Sequence, residues 1–151
     1  MLVHDLTEAQ CHEILSRARL ARLACSRGDQ PYVVPVSFSY DARSNCLYCF
    51  SAVGKKIEWM RENPKVCAEI EDIQDRTHWS TVVVVGRYDE IGDAPEDRAT
   101  RDRVLQLFQE RAGQWWLPGA AKPHGTEPQA VVVYRIHIDR VTGRSADHTT
   151  G

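Results

Sequence analysis

Residues 32–40 constrain the fold more than any other stretch of this chain. Tyr32, Val34, Val36, Phe38 and Tyr40 alternate with Val33, Pro35, Ser37 and Ser39. A period of two places the first set on one apolar face and leaves a small, mixed face opposite, as in a strand packed on one side. Pro35 has no N–H to give to a ladder, so this strand belongs at a sheet edge, a bulge or a gap. On either side, residues 20–25 and 46–51 also read as strands, joined through a Gly28-Asp29 turn and a turn cluster at 41–45. Strands linked by short turns predict an antiparallel meander.

Helical periods interrupt this pattern in few places. Thr7 and Gln10 stand at capping-box spacing, and Cys11, Ile14, Leu15 and Ala18 recur at i, i+3, i+4 and i+7. Val53-Gly54 breaks the third strand, and residues 55–62 form a short helix stopped by Asn63-Pro64. Residues 66–70 and 80–91 are further strands, separated by a polar turn around Gln74 and Asp75; the run Val82-Val83-Val84-Val85 predicts burial on both faces. Asp93 and Glu96 are spaced as a capping box around Pro95, opening a helix striped by Val104, Leu107, Phe108 and Ala112. A Pro- and Gly-rich loop at 113–128 holds Trp115 and Trp116, and residues 130–138 make the last strand.

The strands come in runs without a helix between each pair, which disfavours βαβ winding. The expectation is a mainly β (α+β) fold, a small antiparallel barrel of about six strands with flanking helices. No repeat or linker divides the chain, so residues 1–151 read as one domain, with 1–5 and 140–151 expected to fray.

Composition narrows the function classes. Hydrophobic residues at 42% and charged residues at 26% describe an ordinary folded chain. Lys+Arg 19 against Asp+Glu 21 gives a net charge of −2, which argues against broad nucleic-acid or membrane-surface binding. No apolar run approaches the ~20 residues that span a bilayer, and residues 1–10 lack the regions of a signal peptide. The expected location is therefore cytoplasmic. Five cysteines without an export signal make a disulfide framework improbable.

Motifs for dinucleotide, P-loop, zincin and nucleophile-elbow chemistry are missing. Cys46-x-x-Cys49 lies inside a strand, where residues three apart face opposite ways, whereas a redox pair belongs at a helix N-terminus. The six histidines are scattered and no metal site is expected.

Gly54-Lys55-Lys56 is different. Two lysines open a helix, where the macrodipole disfavours cations and free backbone N–H groups point outward. Either both side chains extend into solvent, or an anion such as a phosphate sits among them, with Gly54 allowing close approach. Pro35 beside Ser37 and Ser39 admits two readings as well: a protected edge strand, or a strand along which a planar ligand lies. Trp79-Ser80 offers an aromatic wall and a hydroxyl, or a plug for the barrel end.

Gln30-Pro31-Tyr32-Val33-Val34-Pro35-Val36-Ser37-Phe38, Leu47-Tyr48-Cys49-Phe50-Ser51-Ala52, Gly54-Lys55-Lys56, Asn63-Pro64, Trp79-Ser80 and Val85-Gly86-Arg87 together resemble the pyridoxamine 5'-phosphate oxidase-like FMN-binding split β-barrel family. The nitroimidazole-resistance (Nim-type) branch is the nearest in flavour. The resemblance implies a split barrel and a homodimer with FMN at the subunit interface. It implies that Pro35, Val36 and Ser37 run beside the flavin ring, that Phe50 and Ser51 approach the ribityl chain and phosphate, and that Lys55 and Lys56 bind the phosphate. Trp79 and Ser80 would come from the partner subunit. The chain departs from true pyridoxamine-phosphate oxidases in lacking their arginine-rich phosphate cluster and their C-terminal Arg-Leu-x-Pro, so that activity is not implied.

The function expected is an FMN-dependent oxidoreductase moving hydride or electrons from a reduced nicotinamide or similar donor to a small acceptor, a nitroaromatic among the candidates. The flavin carries such chemistry, so no catalytic side chain is obligatory; His78 is one candidate proton donor. A non-catalytic flavin or haem holder and a deazaflavin-dependent reductase are the alternatives.

Overall fold

A computed structural model describes residues 1–110 and 131–147. In chain order the elements are β1 (Leu2–Asp5), α1 (Glu8–Arg17), β2 (Leu20–Arg27), β3 (Gln30–Ser37), β4 (Ser39–Asp41), β5 (Cys46–Ala52), α2 (Lys55–Glu62), β6 (Lys65–Ile73), β7 (Trp79–Ile91), α3 (Pro95–Glu110) and β8 (Val131–Asp147). All pairings are antiparallel, in the order β3-β2-β6-β7-β8-β5-β4, with β1 added to β8.

The two ends of that path, β3 and β4, are consecutive in the chain. The alternation from Tyr32 to Tyr40 therefore serves two ladders, β3 with β2 and β4 with β5, and the switch falls at Phe38. Phe38 is fully buried, and its N–H reaches the Arg19 carbonyl at 3.0 Å. The sheet curls into a barrel that the covalent chain closes across the split. Because β3 pairs only with β2, Pro35, opposite Arg22, leaves no ladder bond unmade on its far side.

The barrel interior is filled by α1, through Cys11, Ile14 and Leu15, and by inward residues such as Leu23, Val36, Cys49, Ile70, Val82, Val84 and Tyr134. The capping box forms as the spacing predicts, with the Gln10 N–H on Thr7 Oγ1 at 3.2 Å and the Thr7 N–H on Gln10 Oε1 at 2.8 Å. A second cluster, Cys46, Tyr48, Ile91, Val104, Phe108 and Val133, lies under α3.

Four sequence expectations need correction. The described strands number eight rather than about six, because β1 and the split of the 32–40 alternation were not separable by periodicity. The valine run is not buried on both faces: Val82 and Val84 are fully buried, but Val83 is 40% and Val85 38% exposed. The strand sandwiched on both sides is β5, whose Cys46 to Cys49 are all buried because α3 crosses it instead. The box at Asp93 is out of frame, since Ala94 supplies the carbonyl that closes the first turn of α3 (Asp97 N–H at 2.9 Å) and Asp93 pairs with Arg101. Finally, 1–5 and 140–147 are paired, not frayed, since β1 joins β8 at Arg144–Asp147 and β7 holds its other edge. Trp115, Trp116 and Ala112 lie outside the described residues.

Candidate functional site

The turn into α2 has the local chemistry of an anion site. Gly54 occupies the N-cap position with extended backbone and no side chain to cap with. The first helical bond runs from the Glu58 N–H to the Gly54 carbonyl at 3.1 Å, so the N–H groups of Lys55, Lys56 and Ile57 have no intrahelical acceptor. Space beside Gly54 is open for 4 Å. At the far end the Asn63 N–H bonds the Trp59 carbonyl (2.8 Å), and its side-chain amide grips Ser26 on β2 (3.1 and 3.2 Å), which fixes the helix on the barrel.

Lys55 and Lys56 sit in unlike surroundings. The Lys55 ammonium lies over the Tyr32 ring at 4.6 Å and the Trp59 ring at 4.9 Å, while Arg27 covers Trp59 at 5.5 Å. Trp59 is one helical turn after Lys55, so the i, i+4 spacing carries this contact, but Tyr32 arrives from β3 through the fold alone. Lys56 is half-buried, and burial lowers its pKa below the usual lysine range, with the Cys49 and Cys25 thiols opposing that shift. Burial in turn pushes the Cys49 thiol up to about 12, so it is no nucleophile. Cys46 packs under α3 while Cys49 faces the barrel interior, which places the C-x-x-C pair on opposite faces of β5.

A match to the family model described as pyridoxamine 5'-phosphate oxidase covers residues 7–145. The chain belongs to this family. A protein of Rhizobium meliloti (strain 1021), described as uncharacterized, is 38% identical over 149 residues, covering 97% of each chain. The crystal structure of a protein from Mesorhizobium loti, described as FAD-binding, superposes with a TM-score of 0.81 at 38% identity, covering 97% of this chain and all of that one. A candidate 5-nitroimidazole antibiotic resistance protein from Bacteroides thetaiotaomicron shares the fold, with a TM-score of 0.63 at 19% identity over 96% of this chain and 89% of its own.

Within this pyridoxamine 5'-phosphate oxidase-like chain the implied site residues fall into two groups. Pro35 and Ser37 lie on the outer side of edge strand β3, and Val36 turns its side chain into the core, so only its backbone is available to a ligand. Ser51 precedes the α2 turn, its hydroxyl donating to the Ala52 carbonyl at 2.8 Å. Phe50 faces the other way and meets Phe108 edge-on at 4.6 Å, which leaves its backbone alone to border the turn.

Trp79 and Ser80 are elsewhere. They start β7 opposite Ile73 and Asp72, at the end of β6 remote from the α2 turn, roughly 20 Å along the sheet from the Tyr32 row. Ser80 Oγ meets Ser145 Oγ at 3.0 Å. His78 closes the preceding turn, its Nδ1 2.9 Å from Asp75. Hydrogen bonds from Thr77, and then from His78, hold the Asp75 carboxyl well below the usual carboxylate range. Among the described residues no helix is long and apolar enough to cross a membrane, and no three His, Cys, Asp or Glu form a metal-holding group.

Proposed function

We propose that this chain binds a flavin as FMN and acts as a dimeric oxidoreductase, moving hydride or electrons from a reduced nicotinamide or similar donor to a small acceptor such as a nitroaromatic. The observation that carries the reading is the pair Lys55 and Lys56 at an uncapped helix start, beside an edge strand interrupted by Pro35. Two ammonium groups and free N–H groups suit one phosphate, which Gly54 lets approach the backbone. The next cation, Arg27, is turned to Glu62 at 3.7 Å, so the locus suits a single phosphate better than the pair carried by FAD. Pro35, Val36 and Ser37 would lie along the ring, and Ser51 near the ribityl chain. A bound flavin supplies the redox chemistry, and the protein orients it and excludes water.

The family resemblance puts Trp79 and Ser80 at the same ligand as the lysines, and since one chain keeps the two groups roughly 20 Å apart, that arrangement calls for a second copy. The outer sheet face has room for one. Val33, Ala24, Cys67 and Val85 are aligned by register across four strands, and Val33 is 62% exposed. We expect Val85→Glu to convert a micromolar dimer to monomer and to lower flavin retention with it, as sedimentation and absorbance would show.

The direct test is the visible spectrum of the purified protein, followed by chromatography of the extracted cofactor. Flavin bands that bleach with NADH or NADPH under anaerobic conditions, and return with a nitroaromatic, are the expected result. A colourless chain that FMN does not reconstitute overturns the proposal, and bands that no donor bleaches would make the protein a holder. The low pKa of Lys56 adds a pH signature. Its cationic form attracts phosphate, so FMN affinity should fall as pH rises through that pKa, at a lower pH than an ordinary lysine requires. Lys56→Arg should remove this alkaline loss, which fluorescence titration at several pH values reads directly.

A further inference from the structure

Pro35 ends a straight row across the sheet. Register lines it up with Arg22 on β2, Glu69 on β6 and Val83 on β7. The residues on either side of Arg22 and Glu69 (Ala21, Leu23, Ala68 and Ile70) are buried, so the row itself faces outward. Neighbouring strands lie about 5 Å apart, which puts Arg22 roughly 5 Å and Glu69 roughly 10 Å from Pro35 across the sheet. Among the outward positions 20, 22 and 24 of β2, only 22 carries a charge.

The charges of this row are not matched one to one. Glu69 is the ladder partner of Arg22, yet the guanidinium turns along β6 to Glu71, with Nη1 2.8 Å from Oε1. Two carboxylates therefore face one guanidinium. Glu69 is half-buried, and burial, then Glu71, push its carboxyl above the usual carboxylate range, while Arg22 opposes the shift. The remaining neighbours of Glu69 on this face are Val83 across β7 and the Cys67 thiol along β6. The Arg22–Glu71 side chains are 42% and 33% exposed, so the pair adds little to stability. A second copy seated on this face would desolvate the cluster and strengthen its field.

A flavin lying along Pro35 and Ser37 would meet the Arg22 guanidinium before any other charge of the β2–β6 face. Reduction adds negative charge to such a ring, and charges beside it tune its electron affinity. We infer that Arg22 and Glu69 set how strongly the bound flavin holds electrons, Arg22 favouring the reduced form and Glu69 opposing it, with Glu71 keeping Arg22 in place. The inference rests on the flavin reading and on Pro35 bordering the ring.

Midpoint potentials of the FMN-loaded full chain, read against reference dyes, test it. Arg22→Gln should lower the preference for reduced over oxidised FMN about tenfold, a fall of about 30 mV for a two-electron couple. Glu69→Gln should raise that preference about threefold, or about 14 mV. Arg22→Lys should recover most of the loss. Affinity for oxidised FMN, whose ring is uncharged, should change less than about twofold in each variant. Glu69 acts only when ionised, so the potentials of the unaltered chain and Glu69→Gln should converge as pH falls. Convergence should begin above the pH at which an ordinary carboxylate protonates. Unshifted potentials, shifts of the same sign in Arg22→Gln and Glu69→Gln, or a Glu69→Gln offset that ignores pH would each overturn the inference. A chain that binds FMN but shows no shift in Arg22→Gln removes this inference alone. One that no flavin reconstitutes removes the flavin reading as well.

Discussion

Replacing both Lys55 and Lys56 with alanine should weaken FMN binding by about 1–3 kcal/mol, or roughly 5- to 150-fold, while the fold stays intact. The magnitude follows from what remains. The N–H groups at the start of α2 still point outward and still attract a phosphate, so binding is reduced and not abolished. The two single variants should separate, because their surroundings differ. Lys55→Ala also removes an ammonium stacked on Tyr32 and Trp59, a contact worth about 0.5–1 kcal/mol, so the flavin-free protein loses some stability. Lys56→Ala removes a half-buried charge whose desolvation already lowers its pKa, so the flavin-free protein should lose none. Fluorescence titration with FMN and urea melts of the flavin-free chain measure both effects. The double arginine variant should restore most of the affinity. Unchanged FMN affinity in the double alanine variant would remove the lysine turn from the site.

Much of this arrangement is legible in the sequence, and the rest is hidden for definite physical reasons. Local chemistry marks α2 to the residue, since Gly54 opens it and Asn63-Pro64 ends it. Pro35 marks an edge, because a missing N–H is a property of one residue. The capping box at Thr7 and Gln10 is equally local. What escapes is whatever depends on which element covers which face. A row of four valines and the run Cys46 to Cys49 look alike as apolar strands, and only the path of α3 decides that the latter is buried twice. The tail after Ile138 has no regular apolar period, yet it is held as a strand because β7 and β1 supply ladders on both sides. Likewise the Lys55 ammonium finds Tyr32 only once β3 lies beside α2.

Among the described glycines, Gly86→Ala should be the most damaging, costing about 3 kcal/mol of stability and roughly 6–12 °C in Tm. Gly86 sits where the register of β7 and β8 shifts, with Val85 opposite Arg140 and Gly86 opposite Ile138, so Asp139 is the extra residue of a bulge. Below that bulge β8 pairs with β5, and beyond it with β1, so the bend there turns one sheet into a curled barrel. A Cβ on Gly86 would run into the His137 carbonyl oxygen, with Ile136 Cγ2 3.0 Å and the His137 carbonyl carbon 3.1 Å away. Two of those atoms are backbone and cannot rotate aside, so relief requires moving β8 itself. Gly28→Ala is the control. Gly28 needs its positive φ of 59° in the β2–β3 turn, but nothing lies within 4 Å of an added Cβ. Its cost should be purely conformational, about 1–2 kcal/mol. Denaturant melts of the two variants should therefore rank Gly86→Ala well below Gly28→Ala. Equal losses would mean that β8 gives way at the bulge, and that the curl of the barrel does not depend on close contact there.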